Sequence, residues 1–470
     1  MAKNKKKKEL IIIGAGPGGY AAAFRAADLG IKVTLVDPEA NPGGVCLYRG
    51  CIPSKALLHI AQVKQEALEA AEWGLKFEKP EIDLKKIRKW KEQVVKKLTG
   101  GLGQLSKGKK IEYIKGTAKF VSEKKLKIQP NDSEAYEAEF QNLILATGSV
   151  NVSLPAIEID HNKIIDSKDA LELKDIPKSM LVIGGGYIGL ELGSVYAALG
   201  SKVSIAEMTP GFLPGADRDL VKIFEKEHPF KDLFFNTKVE KVSIKKDKIK
   251  VELKEKNGKS SEKSFDKVLV AVGRKPNTDT LALENSGIKV NDAGFIEVDQ
   301  KRKTRNENVY AIGDLTGEPL LAHKANYEGK IAAEAIAGIK GAAYDPGSIP
   351  AVVFTNPQLA WCGITESEAK EKGIEIKVLK FPWSASGRAV AVGSPNGLTK
   401  LLVEKKTGRI LGGAVAGKNA GSLIPEISLA IEMAATAEDV ALSIHPHPTL
   451  SETIMEAAEI FSGSPTHISK

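Results

Sequence analysis

At 470 residues the chain is too long for one core of about 100–200 residues, so three or so domains are expected. With 42% apolar and 27% charged residues it is globular rather than disordered or fibrous, and three cysteines exclude a disulfide framework and favour a reducing, cytoplasmic setting. The formal charge of +9 would admit nucleic acid as a partner, but Lys3, Lys5, Lys6, Lys7 and Lys8 concentrate much of it in one tail; the body keeps about +4 with no basic stripe, so a disordered tail over residues 1–9 and no nucleic-acid partner are expected.

Four apolar residues, 10–13, follow the tail. That is too few for a secretory signal, and the tail lacks the arginine and serine of a transit peptide. Residues 10–13 read as a strand, 14–19 as a glycine turn, 20–29 as an alanine-rich helix and 32–36 as a second strand ending at Asp37. Residues 61–105 read as charged helices interrupted near 73–80, and 111–146 as short strands ending in Leu-Ile-Leu-Ala-Thr-Gly148. The opening pattern then returns: strand 180–183, turn 184–189, helix 190–199, strand 202–206 ending at Glu207. The run 180–200 holds six glycines and Glu191, which excludes a membrane span. A matching strand end closes at Gly273. The chain continues through Tyr-Ala-Ile-Gly-Asp314 to a helix from about His323, and after Pro350 it turns to strands, 374–381 and 398–403, with a helical end.

Gly14, Gly16 and Gly19 fit G-x-G-x-x-G between a strand and a helix, where glycine permits a tight turn and close approach of backbone N–H groups to a pyrophosphate. Asp37 is placed to accept hydrogen bonds from a ribose. Gly184, Gly186 and Gly189 with Glu207 repeat the arrangement in register, each acid lying 23 positions after its first glycine. Two dinucleotides on one chain imply electron transfer between them. A carboxylate at 207, with no arginine in the following Met-Thr-Pro-Gly211, favours NAD over NADP.

Cys46 and Cys51 follow the first unit. On an ideal helix five residues rise ~7.5 Å, beyond the ~7 Å that a disulfide allows between Cα atoms, so the backbone must bend. Gly50 supplies the bend, and the helix is expected to begin near Pro53, leaving Cys51 near its N-terminus, where the dipole favours a thiolate. A metal site is opposed by the lack of further ligands nearby, and Cys362 stands alone in a strand-like stretch. Thiol–disulfide exchange needs a proton acceptor, and histidine is its usual companion. His445 and His447 both precede prolines near the end of the chain, ahead of a helix expected from about residue 449 or 450, and Glu452 is placed to fix an imidazole tautomer; the residues alone leave the choice between the two open.

Taken together, the segment from Gly43 to Lys55, the two glycine turns, Asp314 and the His-Pro-Thr-x-x-Glu stretch resemble the pyridine nucleotide–disulfide oxidoreductase family over almost the whole chain. The resemblance implies an α/β fold with two Rossmann-like dinucleotide-binding domains, for FAD (10–150 and 275–347) and NAD (151–274), plus a C-terminal α+β dimerisation domain (348–470). By resemblance Cys46 is the interchange thiol and Cys51 the one beside the flavin. Lys55 lies at the reactive flavin nitrogen with Glu191 its partner, Asp314 holds the ribityl chain, and His447 is the acid–base residue, acting in the opposite subunit with Glu452 behind it. Cofactor contacts are further expected at Ala118, Gly148, Val239, Gly273 and Ala322, and no metal is expected. The members most similar oxidise dihydrolipoyl groups carried by a 2-oxoacid dehydrogenase complex or the glycine cleavage system, as obligate homodimers away from the membrane. An NADPH-dependent, glutathione reductase-like activity is the alternative, and Glu207 opposes it. Tyr48, where the family usually has asparagine, departs from the pattern and is expected to affect packing or access at the cysteines.

Overall fold

Four consecutive apolar residues, Leu10 to Ile13, leave a strand no polar face, so both its sides must be covered. In the computed structural model, which describes residues 7–469, strand Lys8–Ile13 is central to a parallel sheet. Val33–Asp37 lies on one side and Tyr136–Leu145 on the other, with the start of Glu112–Ser122 and with Val309–Ala311 outermost. The strand begins two residues before the expected Leu10: Lys8 meets Glu112 at 2.5 Å, so Lys8 and Glu9 belong to the sheet and not to the tail. The remaining expectation, a disordered basic tail, falls on residues 1–6, outside the described residues.

Helix Pro17–Asp28 covers one face and packs on Ala322–Ile336. The contact is so close that a Cβ on Gly329 would stand 2.4 Å from the Gly18 carbonyl oxygen. Alanine is what such an approach requires, which accounts for the composition of the first helix.

The second unit repeats the first. Its parallel sheet runs Leu233–Phe234, Lys202–Ala206, Ser179–Ile183, Lys267–Val270 and Ile164–Ile165, with a three-stranded antiparallel sheet, Thr237–Lys245, Lys248–Glu255 and Ser260–Phe265, beside it. The chain enters and leaves this unit through a two-stranded ribbon, Ser149–Asn151 against Arg274–Pro276, before Val309–Ala311 returns to the first sheet. A third, antiparallel sheet follows in the order Ala351–Val353, Gln358–Gly363, Ile410–Gly417, Leu398–Glu404, Ile376–Pro382, with helices Ala420–Glu432 and Glu452–Ser462 packed on it. Cys362 is buried within it.

Several helix starts differ from the sequence reading. Those at the glycine turns begin at Pro17 and Tyr187, three residues early in each copy, because the third glycine already belongs to the helix. The helix expected from Pro53 begins at Cys51, and that expected near residue 449 begins at Glu452, whose side chain accepts the Thr449 N–H at 2.7 Å and holds Thr449 outside it.

Candidate active site

The first glycine turn is built by packing. A Cβ on Gly19 would lie 1.8 Å from the Gly14 carbonyl oxygen, and one on Gly14, at φ +96°, would lie 2.3 Å from that of Ala146. Helix Pro17–Asp28 starts on Gly16 with neither a side-chain cap nor an acid in its first turn, so its N-terminal N–H groups are left for something else to satisfy. They face a cavity of about 870 Å³, toward the upper end of the ~300–1,000 Å³ of small-molecule sites. Gly14, Gly16, Asp37, Lys55, Ala118, Gly148, Glu191, Asp314 and Ala322 line it, together with Cys46 and Cys51. Gly19 does not; it is spent on the turn itself. Asp37 accepts N–H bonds from Ala15 at 2.6 Å and Glu39 at 3.0 Å, which leaves lone pairs on both oxygens for a ribose. Burial holds the Asp37 carboxyl above its ordinary range, with those two bonds opposing.

Gly184, Gly186, Gly189, Glu207, Val239 and Gly273 do not line this cavity. The turn they form copies the first: a Cβ on Gly184 would meet the Ala271 oxygen at 2.4 Å, one on Gly189 the Gly184 oxygen at 2.3 Å, and beside Gly186 there is open space. Glu207 accepts the Gly185 N–H at 2.6 Å and that of Thr209 at 2.8 Å. Val239 packs in the core behind the turn, and Gly273 takes φ +122° at the end of the sheet. Helix Tyr187–Leu199 joins the two sites. It starts at the second turn, yet Tyr187 and Glu191 stand in the wall of the first cavity.

The cysteines sit where two helices meet, Gly44–Arg49 and Cys51–Glu69, with Gly50 the only residue between them. Both are thiols. Hydrogen bonding with the Cys46 thiol pulls Cys51 down to about 7, desolvation opposing it and the Lys55 ammonium assisting. The same pairing, reinforced by burial, pushes Cys46 up. Lys55 lies one helical turn on and reaches Glu191 at 2.7 Å. The buried Glu191 also accepts Ser54 Oγ and the Phe354 N–H, each at 3.0 Å, so all three parts of the chain converge on one carboxylate. Tyr48 is held by Asn41: its hydroxyl donates to the Asn41 carbonyl at 3.0 Å and accepts the Asn41 N–H at 3.2 Å, a packing role that anchors the first of these helices.

His447 and His445 have different surroundings. His445 uses both ring nitrogens, on Ser443 O and on Glu426, each at 2.7 Å. His447 holds Nδ1 on Glu452 at 2.8 Å and has a 75% exposed side chain. Against its burial, the Thr449 N–H and His447 hold Glu452 below the usual carboxylate range, so it accepts from Nδ1–H and leaves Nε2 with a lone pair. His447 does not line the cavity of its own chain.

Three contributors escaped the sequence reading. Arg274 donates to Ser149 Oγ (2.7 Å), Ser149 O (2.6 Å) and Asn151 Oδ1 (2.6 Å), and Ser149 donates to Asp314 at 2.5 Å. Glu328, fully buried, accepts the Gly313 N–H at 2.6 Å and Thr316 Oγ1 at 3.1 Å, so it shapes the turn that carries Asp314. The position of Arg274 directly after Gly273 was the available signal; a glutamate within a helix offers none. Among the described residues no group of His, Cys, Asp and Glu side chains could hold a metal ion, and no helix is long and apolar enough to cross a membrane.

An uncapped helix at a long cavity, a second copy of the same turn and a dithiol beside the helix that joins them define a flavoprotein disulfide oxidoreductase using FAD and NAD(H), and the chain belongs to the pyridine nucleotide-disulphide oxidoreductase family, whose models match residues 8–329 and, for its dimerisation domain, 349–458. It is 47% identical over 467 residues to a dihydrolipoyl dehydrogenase of Buchnera aphidicola, covering 99% of this chain and 98% of the relative. It is 48% identical to another from Geobacillus stearothermophilus, covering 98% and 97%. Among solved structures it resembles LpdA of Mycobacterium tuberculosis (TM-score 0.89, 26% identity, 96% and 99% covered). It also resembles the HOCl-induced flavoprotein disulfide reductase RclA of Escherichia coli (TM-score 0.84, 28% identity, 97% and 99% covered).

Proposed function

We propose that the chain oxidises protein-bound dihydrolipoyl groups to the lipoyl disulfide and reduces NAD. The observation that carries this reading is the Cys46–Cys51 pair, polarised toward a Cys51 thiolate, at the Lys55–Glu191 end of the large cavity. FAD, when bound, would supply the two-electron chemistry that links the reduced cysteines to NAD.

The residues divide the work. The first turn's free N–H groups and Asp37 hold the pyrophosphate and ribose of FAD, Asp314 its ribityl chain, and Gly184, Gly186, Gly189 and Glu207 hold NAD. With the disulfide formed, His447 Nε2 of one subunit takes a proton from a substrate thiol at the other subunit's cysteines. The resulting thiolate attacks Cys46 Sγ, and Cys51 leaves as a thiolate beside Lys55. The second substrate thiol then attacks the mixed disulfide at the substrate sulfur, closing the lipoyl ring and passing its proton to the departing Cys46 sulfur, while His447 keeps the first. Two electrons have passed to the cysteine pair. Glu452, held ionised, only accepts hydrogen bonds, and so orients the imidazole throughout.

The unit boundaries we assign lie near residues 150, 275 and 348, with the first unit resumed after the second. The homodimer, the lipoyl-bearing carrier and a cytoplasmic setting belong to the same reading, which the match to a dimerisation domain supports. Glu207 and the absence of arginine after it favour NAD. The test is the rate at which dihydrolipoamide reduces NAD and NADP with flavin-replete protein. Rapid reduction of NAD and little of NADP is expected; preferential use of NADPH with glutathione disulfide would replace this reading.

A further inference from the structure

The stretch behind the second glycine turn is fastened at two ends. Glu207 takes the Gly185 N–H at 2.6 Å, and the Leu213 N–H donates to the Gly185 carbonyl at 3.0 Å, so both backbone groups of Gly185 are committed to residues 207–213. From the other side, Arg218 donates to the carbonyls of Phe212 and Ala216, each at 3.0 Å, and to that of Leu213. Arg218 opens helix Arg218–Glu227. Asp217 caps that helix through the Asp219 N–H at 2.9 Å.

Asp217 and Asp219, the residues flanking Arg218, both meet Lys400 Nζ, at 2.6 and 2.9 Å. Lys400 belongs to strand Leu398–Glu404 of the C-terminal sheet and is 1% exposed; Glu366 also meets it there, and Lys380 reaches Asp219 at 2.7 Å. A lysine buried this deeply is costly, and an apolar residue in its place would often be neutral or stabilising. Its neighbours Leu401, Leu402 and Val403 are buried apolar side chains. From Lys400 the route to Gly185 runs through the backbone that joins Asp217 and Asp219 to Arg218, then through the hydrogen bonds of Arg218 to the 212–216 carbonyls and of Leu213 to Gly185.

We propose that Lys400 is a positioning residue for nucleotide binding: by fixing the cap of helix Arg218–Glu227 it sets Arg218 and the 208–216 segment against Gly185, so that affinity at the second turn depends on the C-terminal sheet. The proposal rests on the reading that the second turn takes NAD, and its test separates the two. In the flavin-containing enzyme, rapid mixing measures reduction by dihydrolipoamide and, separately, reoxidation by increasing NAD. Lys400→Met is expected to raise the NAD concentration for half-maximal reoxidation about tenfold, within the ~5–150-fold range of site-to-site coupling, with the dithiol-driven step unchanged and Lys400→Arg restoring most of the loss. A lower melting temperature with unchanged NAD saturation would make Lys400 merely structural and overturn the proposal. Should Lys400→Met fail to fold, Asp219→Asn, which withdraws one charge from Lys400, decides in the same way. Glu207→Ala is run alongside: if it too leaves NAD saturation unchanged, the second turn is not the NAD site and the proposal falls with that reading.

Discussion

Cys46 and Cys51 are chemically identical in sequence, yet their pairing divides them. Cys51 is pulled to about 7 by the Cys46 thiol, with help from Lys55; Cys46 is driven up by Cys51 and by its own burial. Near neutral pH the negative charge of the reduced pair therefore sits on Cys51, at the helix start, where the dipole also favours it. Thiolate absorbance of the reduced protein is expected to half-titrate near pH 7, being lost below and complete above. Cys46→Ala, which deletes the neighbouring thiol, should move that midpoint upward by at least about one unit, the weight of one charge-assisted bond. A midpoint already near 9 in the unsubstituted protein would contradict this. The spacing of the cysteines announced both the pair and the bend at Gly50. It could not announce which of the two thiols is lowered, which depends on how the two helices set Lys55 and the cysteines together. His447 was similar: its carboxylate partner could be read from the spacing, whereas the enclosure of His445 by Glu426 depends on a helix about twenty residues away.

At the scale of elements, the two strand–turn–helix units were readable because packing constrains them position by position. Gly19 and Gly189 press on the same carbonyl in each copy, and Gly14 and Gly184 on the corresponding strand end. Gly189→Ala places a methyl group 2.3 Å from the Gly184 oxygen, so the turn must open. At the ~1–3 kcal/mol typical of overpacking, NAD is expected to bind about 5- to 150-fold more weakly, while flavin content and reduction by dithiol are retained. Loss of flavin from this variant would show instead that the two units fold as one. The elements misjudged were starts: at the two turns the same glycines that break a pattern also belong to the helix, the Glu452 carboxylate holds Thr449 outside the last helix, and the first strand begins at Lys8. Glu328 and Arg274 were missed because their roles lie in tertiary contacts: a carboxylate in mid-helix and an arginine after a strand look like solvated charges until Gly313 and Ser149 are found against them.

Over the whole molecule, His447 does not line the cavity that Cys46 and Cys51 of the same chain line, and the exposed apolar side chains of the C-terminal unit, Leu429, Met433, Leu442 and Ile444, gather along the helices and loop that lead to His447. A site completed across a two-fold axis gives each the other's surface to cover. Cys46→Ser and His447→Gln proteins are each expected to be nearly inactive with dihydrolipoamide, and unfolding and refolding them together should restore roughly one quarter of normal activity, through mixed dimers that carry one complete site. No recovery, with mixed dimers demonstrated, would place the histidine's partner cysteines on its own chain. Nothing in the sequence pattern alone separates these outcomes, since a surface that pairs with its own copy has the same composition as one that meets a different protein.

The ribbon through which the second unit is entered and left has an architectural consequence. Asn151 and Arg274 are paired neighbours, fastened by the Arg274 guanidinium, and Val309–Ala311 completes the first sheet without any strand from between them. The intervening residues therefore form a cassette hung from one seam, and a unit of different coenzyme preference could be grafted at that seam without redrawing the sheet beneath it. Two of its other attachments, Glu191 to Lys55 and Asp217 to Lys400, would have to be carried along as sockets for the graft to seat.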